Sequence, residues 1–191
     1  PCGLAQEFKS VLESPTVLKI GQNMKYDLQV LHSCGIHLAE PMFDTMIAHY
    51  LLHPEMRHGM DYLAEAYLNY QTIHIDELIG TGKKQISMAQ VPPQDVCPYA
   101  AEDADITLRL KHLFQSQMEE AGCLPLFQDL EMPLMPVLAQ MERNGVCIDS
   151  KGLRDTSVHY SEEMALMEQE ILDRAGLEFK VSSPFELCEV S

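Results

Sequence analysis

The feature that most constrains the fold is a long stretch without glycine, from Gln94 to Glu120. Past its opening it contains a single proline, Pro98, and its apolar residues recur at steps of three and four positions. This periodicity predicts one continuous helix. Tyr99 and Asp103 lie one turn apart on it, so their side chains would share a face, with Cβ atoms about 5–6 Å apart. A phenol and a carboxylate are therefore expected to point at the same place.

The other acids near the predicted helices are expected to be solvated or to cap helix ends. Glu102 and Asp105 rotate toward other faces of the long helix, which predicts solvated charges. Asp44 directly precedes a helical pattern and is expected to be its N-cap. Asp61 is expected to introduce a helix over 62–70 in the same way.

A second segment predicts a strand that leads into a helix. Thr16–Ile20 is apolar and β-branched, Gly21 interrupts it, and helical spacing follows with Asn23 as the expected N-cap. Asp27 would lie one turn into this helix, near the carboxyl edge of a sheet, where parallel-sheet proteins hold ligands. If this helix and the one carrying Asp103 pack on a common sheet, the two carboxylates converge. Oxygen ligands without cysteine or histidine favour a hard cation such as Mg²⁺ or Mn²⁺.

Several segments, taken in order, resemble one family. They are Gly21-Gln-Asn-Met-Lys-Tyr-Asp27, Phe43-Asp-Thr45, Arg57-His-Gly-Met-Asp-Tyr-Leu-Ala-Glu65, Tyr99-Ala-Ala-Glu-Asp-Ala-Asp105 and the stretch 131–149. These segments resemble the 3'-5' proofreading exonuclease domain of bacterial DNA polymerase I. The last segment is similar to the junction between that domain and the polymerase, and the resemblance covers nearly the whole chain.

The resemblance implies a role for each residue of a candidate site. It makes Asp27 and Asp103 metal ligands and Tyr99 the group that orients the attacking water. Two-metal hydrolysis of a phosphodiester needs anionic ligands, and a neutral tyrosine hydroxyl can hydrogen-bond water without repelling it. Three further residues correspond to positions beside the single strand: Asn23, Lys25 and Arg57. The implied substrate is a single-stranded DNA 3' end, and the implied parent protein also binds primer–template DNA and extends the primer.

One element of the family's site is missing from the sequence. The family carries an Asp-x-Glu pair on an earlier strand, and no such pattern occurs before Asp27. The stretch 4–12 instead predicts an amphipathic helix that aligns after that strand. We therefore expect a fragment with half of its metal cage absent and with little or no nuclease activity. The sheet edge that the earlier strands would cover is expected to be exposed and to permit self-association.

The expected fold is a helix-dominated α/β fold, a truncated ribonuclease H-like 3'-5' exonuclease followed by helices of the polymerase thumb region. Residues 1–122 would form the partial exonuclease domain, and 123–191 the junction and the beginning of the polymerase domain. Short strands are expected near 16–20, 36–43 and 146–148, and helices over 126–143 and 150–175.

Composition limits the partners and the compartment. The net charge of −16 argues against a generic DNA-binding surface, because affinity for phosphates normally comes from clustered Lys and Arg. An acidic metal site accounts for part of this charge, so we expect weak DNA affinity. No apolar run is long enough to span a membrane. The six cysteines lack C-x-x-C spacing, which predicts reduced, mostly buried thiols of a cytoplasmic protein.

Alternative interpretations remain for other patterns. His49, His53 and His58 have zinc-like spacing, but no fourth ligand is evident, and the competing interpretation is that they are core or surface histidines. The stretch 80–84 is basic and contains two glycines, but it lacks the full Walker pattern and predicts a loop. The alternative to a nuclease is a domain that has lost catalysis and serves as a structural platform for the polymerase. The presence of the two site acids and the tyrosine favours the nuclease.

Overall fold

A computed structural model describes residues 2–190, with side chains described for 3–188. Helices dominate, and they surround a two-stranded parallel sheet of β1 (Lys19–Gly21) and β2 (Met42–Asp44), paired with Ile20 opposite Phe43. The α-helices are α1 (Cys2–Glu7), α2 (Lys9–Leu12), α3 (Met24–Ser33), α4 (Thr45–Leu52), α5 (Met60–Leu68), α6 (Ile75–Ile79), α7 (Pro93–Ala121), α8 (Leu124–Leu126), α9 (Met132–Asn144), α10 (Ser150–Ala175) and α11 (Pro184–Val190). The shorter helical turns are the 3-10 turns Gly82–Lys84 and Met88–Gln90 and the π-helical turn Phe127–Glu131.

The chain divides into two compact units. The first ends at Gly145 and contains both strands and the helices through α9. The second begins at Val146 and contains α10 and α11. Asp149 caps α10 by accepting hydrogen bonds from the amides of Lys151 (3.1 Å) and Gly152 (2.9 Å).

The long helix and both early strands confirm the expectations from sequence. Helix α7 begins at Pro93 and ends at Ala121, where Gly122 follows with φ of 71°. Proline suits a first helical position, and glycine adopts the left-handed conformation without strain. Both strands are shorter than predicted, at three residues each.

Two predicted elements differ from the structure. The strand over 146–148 is wrong, because these residues form no strand and Val146 is 89% exposed. A strand needs a neighbour to pair with its backbone, and this segment has none among the described residues. The helix over 126–143 is interrupted by the π-helical turn, which ends directly before α9, whose second residue is Pro133. Prolines lack the amide hydrogen that an α-helix needs, and such sites are common places for a change of helix geometry.

The core lies along one side of α7. Ile106, Leu110, Phe114 and Met118 are buried at steps of one turn, and α7 packs on α4, α5 and β1. Fully burying each such side chain contributes about 1.5–3 kcal/mol relative to leaving it exposed. This seam fixes α7, and with it the residues of its first turns, against the sheet.

A buried aspartate joins the second strand to two helices. The carboxylate of Asp44, 1% exposed, accepts hydrogen bonds from the amides of Met46 (2.8 Å) and Ile47 (3.4 Å), which confirms it as the N-cap of α4. The same carboxylate accepts from the amides of Asn23 (3.1 Å) and Met24 (2.6 Å) at the start of α3. One side chain therefore caps both helices.

At the start of α3, Asp44 takes the capping role that the sequence predicted for Asn23. Asn23 does occupy the N-cap position of α3, but its φ is 61° and its side chain makes no capping hydrogen bond. Asparagine tolerates this left-handed conformation better than most residues. The amide groups at the start of α3 bind Asp44 instead, a residue that follows them by about twenty positions.

The histidine cluster belongs to the core. His49 is buried, with its ring Nδ1 2.7 Å from Nδ1 of His58 and its Nε2 2.9 Å from the hydroxyl of Tyr67. Desolvation is the main cause that lowers the pKa of His49 to about 4, and the neighbouring His58 and His53 contribute to the shift. Among the described residues, no group of three or more His, Cys, Asp or Glu side chains could hold a metal ion. His49 is therefore a core histidine, whereas His53 and His58 are half-buried.

The cysteines are not all reduced and buried as expected. Cys34 is disulfide-bonded, whereas four others are free thiols, Cys97, Cys123, Cys147 and Cys188. All of these except the half-buried Cys123 are exposed. The side chain of Cys2 lies outside the described residues.

The described part of the chain holds no helix with the length and apolar character needed to cross a membrane.

Removing the double cap should destabilise the first unit strongly. Asp44→Ala leaves amide groups at two helix starts without a partner. We therefore expect the free energy of unfolding to fall by about 2–4 kcal/mol, whereas loss of a single cap typically lowers it by about 1 kcal/mol. Asp44→Asn, which keeps one acceptor oxygen, should lie in between. Urea unfolding measures this, and Asp76→Ala, an exposed acid in α6, should change the value by less than about 0.5 kcal/mol.

His49 should make the fold sensitive to acid. Its folded pKa of about 4 lies below its ordinary value of 6.5, so the unfolded chain binds the proton first. The stability from neutral His49 is complete above pH 6.5 and falls as pH drops toward 4, by at most about 1.4 kcal/mol per pH unit. His49→Phe should flatten this slope, and His32→Phe, on the exposed end of α3, should leave it unchanged. Equal slopes in all three proteins would contradict this assignment.

Candidate active site

Asp27 lies in the first turn of α3, directly after the Asp44-capped start of that helix. The residue is solvent-exposed as a whole. Protein atoms around its carboxylate still displace part of the water and raise its pKa, and the negative charge of Asp44 raises it further. A carboxylate whose ionised form is disfavoured in this way gains from a nearby cation.

Tyr99 and Asp103 meet on one face of α7, as their spacing predicted. The Tyr99 hydroxyl and the Asp103 carboxylate lie close enough for each to shift the pKa of the other. Desolvation and the adjacent Asp103 charge raise the pKa of Tyr99 above its ordinary value of 10, so the phenol remains protonated at neutral pH. Desolvation also raises the pKa of Asp103, the hydrogen bond from Tyr99 lowers it, and the charges of Glu102 and Asp61 raise it.

The two candidate metal ligands occupy different acidic surroundings. The charged neighbour that acts on Asp27 is Asp44, whereas those that act on Asp103 are Glu102 and Asp61. The structure therefore brings Tyr99 and Asp103 together but does not include Asp27 in the same set of contacts.

Two acids hold a loop beside Asp103. Glu102 accepts hydrogen bonds from the Tyr70 hydroxyl (2.8 Å) and the Ile73 amide (2.7 Å). Asp61 accepts from the Thr72 hydroxyl (2.7 Å). The expectation that Glu102 is a solvated charge is wrong, since both of its carboxylate oxygens are bonded.

The prediction for Asp61 also needs correction. Gly59 is the N-cap of α5, and Asp61 lies in its first turn. Besides Thr72, its carboxylate binds the ring Nδ1 of His74 at 3.1 Å. The loop partners of Asp61 and Glu102 lie at unrelated sequence spacings, so helical periodicity carried no signal for them. Asp105 does behave as a solvent-facing charge, with a 2.7 Å ion pair to Arg109 on the same helix.

The three predicted DNA-contacting residues have different surroundings. Asn23 is exposed at the start of α3. The ammonium group of Lys25 pairs with one carboxylate oxygen of Glu142 on α9, and the side-chain amide of Gln29 donates to the other oxygen. Arg57 is exposed between α4 and α5. It lines a cavity of about 260 Å³ together with Asp61 and its hydrogen-bond partners Thr72 and His74.

The stretch 80–84 is a loop, as predicted. Gly80 and Gly82 have positive φ, and the stretch ends in the 3-10 turn Gly82–Lys84.

Removing the Tyr99 hydroxyl should raise the pKa of Asp103. The hydrogen bond stabilises the ionised carboxylate, so Tyr99→Phe should shift the Asp103 titration to higher pH. Carbon-detected NMR of the aspartate carboxyl groups measures this shift. Tyr70→Phe, which removes a hydrogen bond to Glu102 instead, is the matched control. An unchanged Asp103 titration in Tyr99→Phe would show that the two side chains are not bonded in solution.

The sequence of the chain matches a known family. A family model for 3'-5' exonucleases matches residues 3–119. DNA polymerase I of Pseudomonas aeruginosa is 42% identical over 183 residues, covering 94% of this chain and 20% of that protein. DNA polymerase I of Treponema pallidum is 36% identical over 187 residues, covering 96% of this chain and 18% of that protein. The chain thus spans about a fifth of the length of these curated relatives.

Solved structures with low sequence identity share the fold. The POL domain of Pol1 from M. smegmatis, in complex with DNA primer-template and dNTP, superposes with a TM-score of 0.77 at 22% identity, covering 98% of this chain and 30% of that one. Brucella melitensis NrnC with bound Mg²⁺ superposes with a TM-score of 0.58 at 21% identity, covering 74% and 67%. The ribonuclease H-like exonuclease fold expected from sequence is confirmed. The chain belongs to the 3'-5' exonuclease family of bacterial DNA polymerase I.

Proposed function

We propose that this chain is the exonuclease portion of a DNA polymerase I that removes 3'-terminal nucleotides from DNA during replication and repair. The observation that carries the proposal is the placement of Tyr99 and Asp103 one turn apart on the same face of α7, inside the part of the chain that matches the exonuclease family. Asp27, one turn into α3, supplies the second carboxylate.

The donor set fits a hard divalent cation. Asp27 and Asp103 offer carboxylate oxygens, the ligands that Mg²⁺ and Mn²⁺ prefer. Both have pKa values raised first by desolvation and then by neighbouring negative charge, a condition that a bound cation relieves. The cation would supply an activated water and charge stabilisation for the scissile phosphate.

Tyr99 is proposed to orient the water. Its raised pKa keeps the hydroxyl protonated at neutral pH, so it approaches a nucleophile without electrostatic repulsion. Its position one turn before Asp103 on α7 would bring the hydroxyl near the proposed metal ligand. The role therefore needs both residues on the same face of α7.

The single strand would be held by Asn23, Lys25 and Arg57. Within the described residues, Arg57 makes no hydrogen bond or ion pair, so its charge is available to a phosphate. Lys25 would have to leave Glu142 to reach one. Given the net charge of −16, we expect weak affinity for single-stranded DNA, and contacts with primer–template DNA would come from other parts of the parent protein.

The proposed domain division is 1–122 for the exonuclease part and 123–191 for the junction and the beginning of the polymerase. The family match ends at residue 119, and helix α9 of the junction packs on α3 within the first compact unit. Because a bacterial polymerase acts on chromosomal DNA, the proposal places the chain in the cytoplasm.

Hydrolysis should depend on Asp103. We expect little or no shortening of a 5'-labelled single strand by the 191-residue chain with Mn²⁺. Two-metal hydrolysis needs several anionic ligands, and the proposed site offers only the carboxylates of Asp27 and Asp103. The longer parent protein should remove nucleotides stepwise from the 3' end, and Asp103→Ala should abolish this.

Asp105→Ala is the matched control for the nuclease assay, because Asp105 is an acid on the same helix that faces solvent. It should leave hydrolysis intact. A parent protein that shortens nothing would contradict the nuclease and favour a structural platform, whereas one that keeps its activity with Asp103→Ala would contradict the role of Asp103.

Self-association through the sheet edge is a further part of the proposal. Among the described residues each strand pairs only with the other, so each keeps an edge without a strand partner. We expect the mass measured by light scattering to rise above that of a monomer with concentration. A constant monomer mass would contradict this.

A further inference from the structure

Three polar side chains form a continuous row that joins α4, the segment 53–59 and α5 inside the first compact unit. His49 on α4 is fully buried, and its ring Nδ1 lies 2.7 Å from Nδ1 of His58. Its other ring nitrogen, Nε2, lies 2.9 Å from the hydroxyl oxygen of Tyr67 on α5. Both are hydrogen-bond distances, so one proton lies in each gap. We call these three residues, Tyr67, His49 and His58, the histidine relay.

The surroundings of the relay are mostly uncharged. From α7, the ring that faces His49 is that of Phe114, with centroids 5.3 Å apart. The ring of His58 packs edge-to-face on Tyr50, with centroids 5.4 Å apart. The titratable groups that act on the pKa of His49 or of Tyr67 are His53, Glu55, His58 and Tyr62. Glu55 is the one acid in this set and has the smallest effect on His49, so the relay itself largely sets where its protons lie.

In the uncharged relay, Tyr67 sets the direction of the hydrogen bonds. Desolvation raises the pKa of its hydroxyl, which is therefore protonated and needs an acceptor. Among the described residues that acceptor is Nε2 of His49. The proton of neutral His49 then lies on Nδ1, which donates to Nδ1 of His58, and His58 carries its own proton on Nε2.

Uptake of one proton reverses these hydrogen bonds. Two N–H groups cannot face each other across 2.7 Å, so the gap between the two rings keeps a single proton. The charge settles on half-buried His58, because desolvation opposes a charge on His49 and lowers its pKa to about 4. The Nδ1 proton of His49 passes to His58, the Tyr67 proton passes to Nε2 of His49, and solvent restores the hydroxyl. His49 is still neutral, but its proton now lies on Nε2 and is donated to the Tyr67 oxygen.

We propose that the histidine relay is a pH-sensitive hydrogen-bond switch, in which uptake of one proton charges His58 and changes the tautomer of His49 while both contacts persist. The relay keeps α4, the segment 53–59 and α5 joined in mild acid. A second proton places two N–H groups in the gap between the rings, and this opens the joint between α4 and the segment. The switch does not depend on the proposed nuclease, because none of its three residues belongs to the candidate site.

NMR of the histidine ring nitrogens in the isotopically labelled chain tests the switch, because a ring nitrogen that carries a proton is distinguished from one that does not. At about pH 8, His49 should carry its proton on Nδ1, and at about pH 5 it should carry it on Nε2. This change should follow the same titration curve as the appearance of doubly protonated His58. His49 should have a single ring proton throughout.

Variants at the two ends of the relay should prevent the change. His58→Gln removes the group that takes the charge, so His49 should keep one tautomer over the same pH range. Tyr67→Phe removes the acceptor for a proton on Nε2, so the His49 proton should stay on Nδ1. Two matched controls should change tautomer as the original chain does: Tyr62→Phe, on the same helix as Tyr67, and His53→Gln, which removes a ring 5.4 Å from that of His49. Circular dichroism and urea unfolding verify that each variant is folded.

Three results would overturn the switch. A His49 proton that stays on the same nitrogen at both pH values would show that the relay does not reverse. Double protonation of His49 in step with His58 would show that the gap between the rings holds two protons. A tautomer change that persists in His58→Gln, or that is lost in His53→Gln, would place its cause outside the relay. The first two results come from the unaltered chain, so they remain decisive if a variant fails to fold.

Discussion

The buried carboxylate of Asp44 is the contact on which the arrangement of the site depends. It lies at the end of β2 and binds backbone amides at the starts of α3 and α4. Helix starts carry unpaired amides and partial positive charge, so a single buried carboxylate stabilises both. Thr45 adds a hydroxyl that holds Gln22. The direction of α3, and hence the place of Asp27, follows from this pair of residues.

Negative charge is concentrated around the candidate metal ligands. Asp44 acts on Asp27, while Glu102 and Asp61 act on Asp103. Glu102, Asp61 and Asp44 are occupied by amides, hydroxyls and a histidine ring, so they serve the fold and at the same time disfavour the ionised forms of their neighbours. These acids contribute to the net charge of −16.

Sequence reasoning succeeded where one periodic pattern decides the structure. The α7 seam, the Tyr99–Asp103 pair and the Asp44 cap of α4 all follow from spacing within a few residues. It failed where a side chain binds a distant backbone. Glu102 was expected to be solvated but binds a loop about thirty positions earlier. Asn23 was expected to cap α3, but the amides at the start of that helix bind Asp44 instead. The strand at Val146 failed because strand formation depends on a partner that the local pattern does not show. The relation of Asp27 to Asp103 also depends on tertiary packing, which no short pattern encodes.

The central claim is that Asp27 and Asp103 take part in one metal site. The most direct measurement is a Mn²⁺ titration of the isotopically labelled chain followed by NMR, since the paramagnetic ion broadens the amide signals of nearby residues. The account predicts selective broadening at residues 23–27 and 99–103 together, lost from both segments in Asp103→Asn. Broadening confined to one segment, or spread over the exposed acids of α10 with neither segment affected, would contradict it.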